Sequence, residues 1–419
     1  MIVLFLAVIL LLTGCAGNTP PSPDSEAPAT VSPIQKDPED TDLKDAIDLI
    51  YRYADQLLSS DENTPTAKGG FIWDTEKKAD SWRYFNGVML DAFNRTMGEK
   101  GHSYVERFYL NNLTPDGPRS YHHDELDSVP CGLALFSFLD SPYHAYKDAI
   151  RYIFNELCNQ PSFENCGGNY LHKKTWTAFH IGLDGIYMAQ IFLMRCANAI
   201  KDGQLELYRG TPASAPVSAE DLYSEIFTRL HWVAENMYDE KTGLYHHGWN
   251  AEKMAGNGHI WGRGIGWYAV ALTDIAADMP EGEMKETLTR DIKKLFDGMI
   301  PYMDEATGLW YNVVNNPGLS GNKLETSVSA MMSYSMIKAF NEGLVGEEYA
   351  KAGIKTFKSV CRDKVVTSGD RIKVIDTYQK SGVCTFDAGY TEHPYTDDEA
   401  KGTGLLILAA SEAEKYMNR

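Results

Sequence analysis

Six segments of this chain are so apolar and so rich in small residues that, as helices, they must be enclosed. They are SWRYFNGVMLDAFNRTM (81–97), ELDSVPCGLALFSFL (125–139), IGLDGIYMAQIFLMRCANAI (181–200), WGRGIGWYAVALTDIA (261–276), KLETSVSAMMSYSMIKAF (323–340) and KGTGLLILAASEAEKY (401–416). A helix that is apolar on most faces needs cover all round, whereas a helix with one apolar stripe coats a surface. Helices of the second kind lie between the six, over 42–58, 143–158, 220–237, 284–303 and 346–361, with a weaker candidate over 102–112. Six inner and about six outer helices predict an all-α (α/α)6 barrel in which each inner helix is buried by its neighbours. Strand signals are few and lie in connections. Two of these connections, DEKTGLYHHGWN from Asp239 and DEATGLWYNVVN from Asp304, resemble each other as equivalent loops of a repeated unit do.

The inner segments open on residues unusual for a core: Trp82, Tyr84, Asp127, Asp184, Trp261, Arg263, Trp267 and Glu325. If the six starts share one end of the barrel, these side chains converge on one funnel. Asp184 poses the sharpest question, because HIGLDGIYMAQIFL is otherwise an apolar helix start. A helix cap is the simple reading. Asp127, however, holds the same first-turn position in the preceding inner segment, and packed helices lie about 8–10 Å apart. Two carboxylates so placed can flank a sugar, one protonated and one ionised, as glycoside chemistry requires. Burial and like charge raise a carboxyl pKa while a helix N-terminus lowers it, so Asp184 acts as a proton donor only if burial wins. Arg263 can clamp a carboxylate. Trp261, Trp267, Tyr84 and Trp249 offer flat faces for pyranose rings, and His247 is placed to orient a hydroxyl or water. His246, His231 and His259 read as structural.

The opening MIVLFLAVILLLTGC resembles a lipoprotein signal peptide ending in a lipidated Cys15, although it lacks the usual basic n-region. It falls short of the roughly 20 residues of a spanning helix. Residues 16–41 are rich in Pro, Ser, Thr and acids and read as a disordered tether, leaving a catalytic domain over 42–419. The expectation is export and lipid anchoring in the cell envelope, with the membrane met only through the anchor. Net charge is −19, from 39 Lys+Arg against 58 Asp+Glu, which argues against nucleic acid as a partner. An anionic small substrate remains compatible with a local Arg or Lys.

Other motifs carry less. GRGIG (262–266) has phosphate-loop spacing, but no strand feeds it, and its glycines serve a tight helix start. HHDELD (122–127) groups metal-ligand types without the i, i+4 histidines of a zinc helix, so no metal is expected. No G-x-S-x-G elbow and no CxxC pair occur. Cys158 and Cys166 are compatible either with a loop disulfide or with separate thiols.

At WRYFNGV, LDSVPCG, GLDGIYMAQIF, YHHGWN, WGRGIGWYAVALTD, LETSVSAMMSY and DDEAKGTGLLILAASE the chain resembles glycoside hydrolase family 105 and, more distantly, family 88. The resemblance implies a cofactor-free enzyme acting on lyase-generated oligosaccharides with a 4,5-unsaturated uronic acid at the non-reducing end. The reaction it implies is hydration: a proton to C4, water to C5, then opening of the hemiketal and release of the uronate. Asp184 matches the family's general acid/base and Asp127 its second site Asp. His247, Trp261, Arg263, Trp267 and Tyr84 match positions lining the sugar, and Lys174 falls where the family can supply a substrate-binding Lys. The family often has Trp two residues before the catalytic Asp, where this chain has Gly182. A conventional inverting glycosidase, a sugar epimerase on the same barrel, or a non-catalytic glycan-binding lipoprotein are the competing readings.

Overall fold

The computed structural model describes residues 42–63, 82–210 and 215–419. The leader, Cys15 and the tether lie outside them. Eleven α-helices are described: α1 Leu43–Asn63, α2 Tyr84–Thr96, α3 Gly98–Asn112, α4 Ala145–Asn159, α5 Gly185–Lys201, α6 Ala219–Asn236, α7 Gly262–Asp278, α8 Glu283–Met299, α9 Thr326–Asn341, α10 Glu347–Asp363 and α11 Ala400–Met417. Every segment expected to be a helix is one, within a few residues, with one change of type. The second inner segment, Leu126–Phe138, is a 3₁₀ helix. It contains Pro130, which has no N–H to give an i→i−4 bond.

Packing closes the ring. α2 touches the 3₁₀ segment, which touches α5, then α7, α9 and α11, and α11 returns to α2. Outside, α3 lies on α2, α4 on the 3₁₀ segment, α6 on α5, α8 on α7 and α10 on α9, while α1 covers α11. The first described helix thus completes the last repeat. Burial follows the sequence pattern: α7 is buried continuously from Gly262 to Ala276, whereas α8 buries one face, Leu288, Asp291, Ile292, Leu295, Phe296 and Met299.

Small residues let the inner layer close. At Gly87 an added Cβ would stand 2.4 Å from the Pro130 carbonyl carbon and 2.5 Å from the Cys131 nitrogen, so α2 and the 3₁₀ segment meet backbone to backbone. Gly87→Ala is therefore expected to destabilise the protein by about 1–3 kcal/mol, against the roughly 1 kcal/mol that alanine's helix propensity gains. A urea midpoint no lower than wild type would contradict this contact.

The two similar connections fold alike. Thr242 Oγ1 donates to Asp239 Oδ2 at 2.8 Å and Gly243 N to the Asp239 carbonyl at 2.8 Å. Thr307 Oγ1 donates to Asp304 Oδ1 at 2.6 Å and Gly308 N to the Asp304 carbonyl at 2.7 Å. Gly243 and Gly308 both have left-handed φ, 72° and 73°, which favours glycine. Cys158 and Cys166 are separate thiols, as are the other four described cysteines.

Candidate active site

The inner helices point their N-termini toward one end, where a cavity of about 440 Å³ opens. Tyr84 of α2, Asp127 of the 3₁₀ segment, Asp184 before α5, Trp261, Arg263 and Trp267 of α7, and Glu399 and Lys401 of α11 line it. Its remaining wall is Arg83, Phe85, Met188, the loop carrying His172, Lys173, Thr175 and Trp176, and the stretch Gln379–Gly382 with His393. Five Lys and Arg side chains against three carboxylates face this space, a local positive balance in a chain of net charge −19.

Asp184 does occupy the N-cap position of α5, yet its side chain makes no capping hydrogen bond. Glu325 holds the same place before α9 and does cap, accepting from Val328 N at 2.8 Å. The Asp184 carboxylate is turned instead toward two imidazoles. His172 Nδ1 lies 3.8 Å and His247 Nε2 3.5 Å from its Oδ1. All three atoms are buried, and none makes a hydrogen bond among the described residues.

On its other side His172 meets Asp127, Nε2 to Oδ1 at 3.2 Å. Lys173 pairs with the second Asp127 oxygen and lies 3.5 Å from Glu125. One imidazole therefore stands between the two carboxylates. Backbone pairing places it there: Leu126 N donates to the His172 carbonyl at 3.0 Å, and His172 N to the His180 carbonyl at 2.9 Å. The short antiparallel pairing of Ile181–Gly182 with Gly248–Trp249, together with Leu183 N donating to the His247 carbonyl at 2.8 Å, brings His247 beside Asp184.

The hydrogen on His247 can be placed. Tyr390 Oη accepts from Asn257 Nδ2 at 3.1 Å and from Cys384 N at 3.1 Å. With both lone pairs used, its own hydrogen goes to His247 Nδ1, 2.8 Å away. His247 then carries its hydrogen on Nε2, directed at Asp184.

The sequence makes Asp184 a proton donor only if burial wins over the charges around it, and here other groups enter that balance. Burial does push the carboxyl up, but the neighbouring imidazoles of His172 and His247 outweigh it, and Asp184 lies below the usual carboxylate range. Asp127 is likewise raised by burial and lowered further by His172 and Lys173, ending well below that range. His172 is depressed by burial and lifted above the ordinary histidine value by Asp184 and Asp127.

The expected aromatics divide into two groups. Trp267 packs on Tyr187 at 4.3 Å and edge-on to Tyr84 at 6.4 Å, and both Trp267 and Tyr84 face the cavity. Trp261 donates Nε1–H to Asn312 Oδ1 at 2.9 Å and lies under the Arg263 guanidinium, 4.7 Å from ring centre to Cζ. Trp82 and Trp249 do not line the cavity; Trp82 packs on Phe108 and Tyr109, and Trp249 edge-on to Trp232. Arg263 donates to the Tyr378 carbonyl through Nη1, while its buried Nε has no protein partner. Glu325 stands behind it, 3.8 Å from Nη1, and His247 is fully buried behind Asp184 and does not itself line the cavity.

Lys174 is placed outside the cavity. Its side chain is 73% exposed and reaches Asp124 at 3.1 Å. Lys173, one residue earlier, is the lysine on the wall. The reason is local: Lys173 forms an antiparallel bridge with Glu125, and successive side chains of extended backbone point to opposite sides. Lys173→Met is expected to weaken turnover of the substrate by at least about tenfold, since it strips a charge-assisted bond worth about 1.5–3 kcal/mol from Asp127. Lys174→Met should leave kcat/KM within a factor of two or so; equal losses in the two would contradict this placement.

Gly182 has a physical explanation. A Cβ there would lie 2.6 Å from Asp184 Oδ1 and 2.7 Å from Trp176 Cζ3. The indole of Trp176, stacked on His172 at 4.3 Å and 10°, fills the space a side chain at 182 would need. Trp176 carries no signal in the sequence, and His172 and Lys173 stand out there only as members of the basic stretch HKK (172–174), with Lys174 the expected site residue. They belong to an irregular loop, and no spacing rule points to them.

A helical toroid with two carboxylates, an arginine and aromatic faces gathered at one end is equipped for chemistry on sugars. The comparisons with known proteins give the family. Residues 60–417 match the model of Glycosyl Hydrolase Family 88, and the chain belongs to that family. It is 31% identical over 225 residues to Protein Atu3128 of Agrobacterium fabrum, covering 49% of this chain and 94% of that protein. It is 24% identical over 241 residues to the unsaturated rhamnogalacturonyl hydrolase YesR of Bacillus subtilis, covering 56% of this chain and 60% of YesR. Its fold is shared with the family 105 glycoside hydrolase of C. acetobutylicum, at a TM-score of 0.72 and 22% identity, over 87% of this chain and 99% of that one.

Proposed function

We propose that this enzyme hydrates the 4,5-double bond of an unsaturated uronic acid at the non-reducing end of an oligosaccharide. The observation that carries the reading is the pair of carboxylates, Asp127 and Asp184, bridged by one imidazole in a cavity whose walls are net positive. Arg263, with Nε unpartnered, takes the uronate carboxylate, and Trp261 and Trp267 hold the ring. Asp184 delivers a proton to C4, leaving positive character at C5 that the ring oxygen shares. Water adds at C5 as the Asp184 carboxylate receives its proton, and the hemiketal opens to release the uronate. His247 supports Asp184 from behind through Nε2–H, and Asp127, held by Lys173 and His172, orients ring hydroxyls. The relationship to YesR supports this substrate class.

The double bond absorbs in the ultraviolet and its hydration removes the absorbance. Unsaturated disaccharides with glucuronyl- or galacturonyl-derived ends, each linked to different partner sugars, form the test panel. Loss of absorbance with at least one of them is the expected result. Unchanged absorbance across the panel, with the protein folded, overturns the proposal. We further propose, from the leader sequence, that the enzyme is exported and lipid-anchored through Cys15; metabolic labelling with a fatty acid, lost on Cys15→Ser, tests this.

A further inference from the structure

Asp184 must hold a proton to deliver one, yet two imidazole nitrogens, His172 Nδ1 at 3.8 Å and His247 Nε2 at 3.5 Å, face its Oδ1 and favour the carboxylate. A neighbouring imidazole is placed to hand it that proton. The charged groups around His172 are few. Asp127 lies at Nε2 and Asp184 near Nδ1. Lys173 is on the far side of Asp127, with the Arg83–Glu125 pair beyond it. His247 approaches Asp184 from the opposite side. Trp176, Gly182 and Gly185 pack against the ring and bring no charge. His247 is not the source, because its Nδ1 accepts from Tyr390.

We propose that His172 is the proton store of the site, holding between Asp127 and Asp184 the single proton that Asp184 delivers. This rests on the hydration reading. As an imidazolium, His172 donates Nε2–H to Asp127 and directs Nδ1–H at Asp184. Its ring has little freedom to turn away: Trp176 stacks on one face, and Cβ atoms at 182 and 185 would lie 3.2 and 2.7 Å from Nδ1. The 3.8 Å gap from Nδ1 to Asp184 Oδ1 shortens when substrate excludes solvent, as catalytic hydrogen bonds tighten in the bound state. The Nδ1–H bond then breaks and an Oδ1–H bond forms, leaving a neutral imidazole with its lone pair on Nδ1. Asp184 gives that proton to C4. The regained carboxylate takes one from the water adding at C5 and returns it to Nδ1 as product leaves, so the store is refilled in every cycle. His172 is a positioning residue here, acting through Asp184. The two groups titrate as a pair, because each one's protonation sets the other's.

Two measurements test it. Nitrogen-15 NMR of the intact protein, assigned with His172→Gln, should show both His172 ring nitrogens still protonated at about pH 8, where an ordinary histidine with a pKa of about 6.5 is neutral. A neutral ring there overturns the proposal. In His172→Gln, whose carboxamide can still donate to Asp127, the alkaline limb of kcat should move to lower pH by at least about one unit, with activity largely recovered at acid pH. A loss uniform across pH means a structural role and overturns it. If that variant does not fold, assignment by His172-selective chemical-shift correlation lets the NMR decide. The NMR needs no substrate, so the two ideas fail separately. Turnover with a neutral His172 removes only the store; no turnover on any unsaturated uronide removes hydration, and the store falls with it.

Discussion

Asp184→Asn is expected to lower kcat by roughly 10²–10⁴-fold, the usual worth of a positioned general acid and base, with KM and the urea midpoint nearly unchanged. The amide is the same size as the carboxyl, so the cavity keeps its shape, and Asp184 makes no cap bond whose loss would loosen α5. It can neither carry the proton to C4 nor accept one from water. The contrast with Glu325 sharpens the test. Glu325→Gln acts on a cap that accepts from Val328 N, Ser327 Oγ and Tyr378 N, so its effect should appear in stability. Near-full activity in Asp184→Asn would remove Asp184 from the chemistry.

The second large effect lies at the other end of the toroid. There Asp274 of α7 accepts from Lys338 at 2.6 Å and Tyr334 at 2.6 Å, and Arg95 stands 3.6 Å away. Asp91 holds Arg195 at 2.6 Å and Arg95 at 3.3 Å. This network ties α2, α5, α7 and α9 together where their C-termini meet, and its three cations offset the negative ends of the helix dipoles. Asp274→Asn leaves Lys338 buried without its carboxylate, while Arg95 keeps Asp91, and should cost about 3–5 kcal/mol. The pH dependence has a fixed sign. Burial raises the Asp274 carboxyl, but Lys338 and Arg95 bring it down to about 2 from an ordinary 3.8. Its contribution is therefore full above about pH 4 and lost as pH falls toward 2. The stability gap between wild type and variant, read from urea midpoints, should narrow over that window; a gap independent of pH would contradict the ion-pair account.

Much of this architecture was legible in the chain because its information is local. Helices such as α7 and α9 declare their burial by composition, and the equivalence of Asp127 and Asp184 followed from counting repeats. The 3₁₀ form of Leu126–Phe138 was hinted at only by Pro130. What stayed hidden depends on contacts between distant stretches. His172 reaches its place through a backbone bond to Leu126, and Lys173 rather than Lys174 turns inward because of one bridge to Glu125. No periodicity encodes either. Trp176, filling the space beside Gly182, is a third case: six residues apart in sequence, the pair is complementary only in the folded loop. The proton balance stayed open in the sequence for a related reason. The apolar run around Asp184 was visible, but the two histidines that hold it ionised arrive from other elements.

Proton NMR of turnover in heavy water tests the central claim most directly. Hydration predicts that the vinyl H4 signal of the unsaturated uronide disappears as the partner sugar is released, with one solvent deuterium delivered to C4. Release of the partner sugar with the vinyl proton intact would mean attack at the anomeric carbon and would contradict the account.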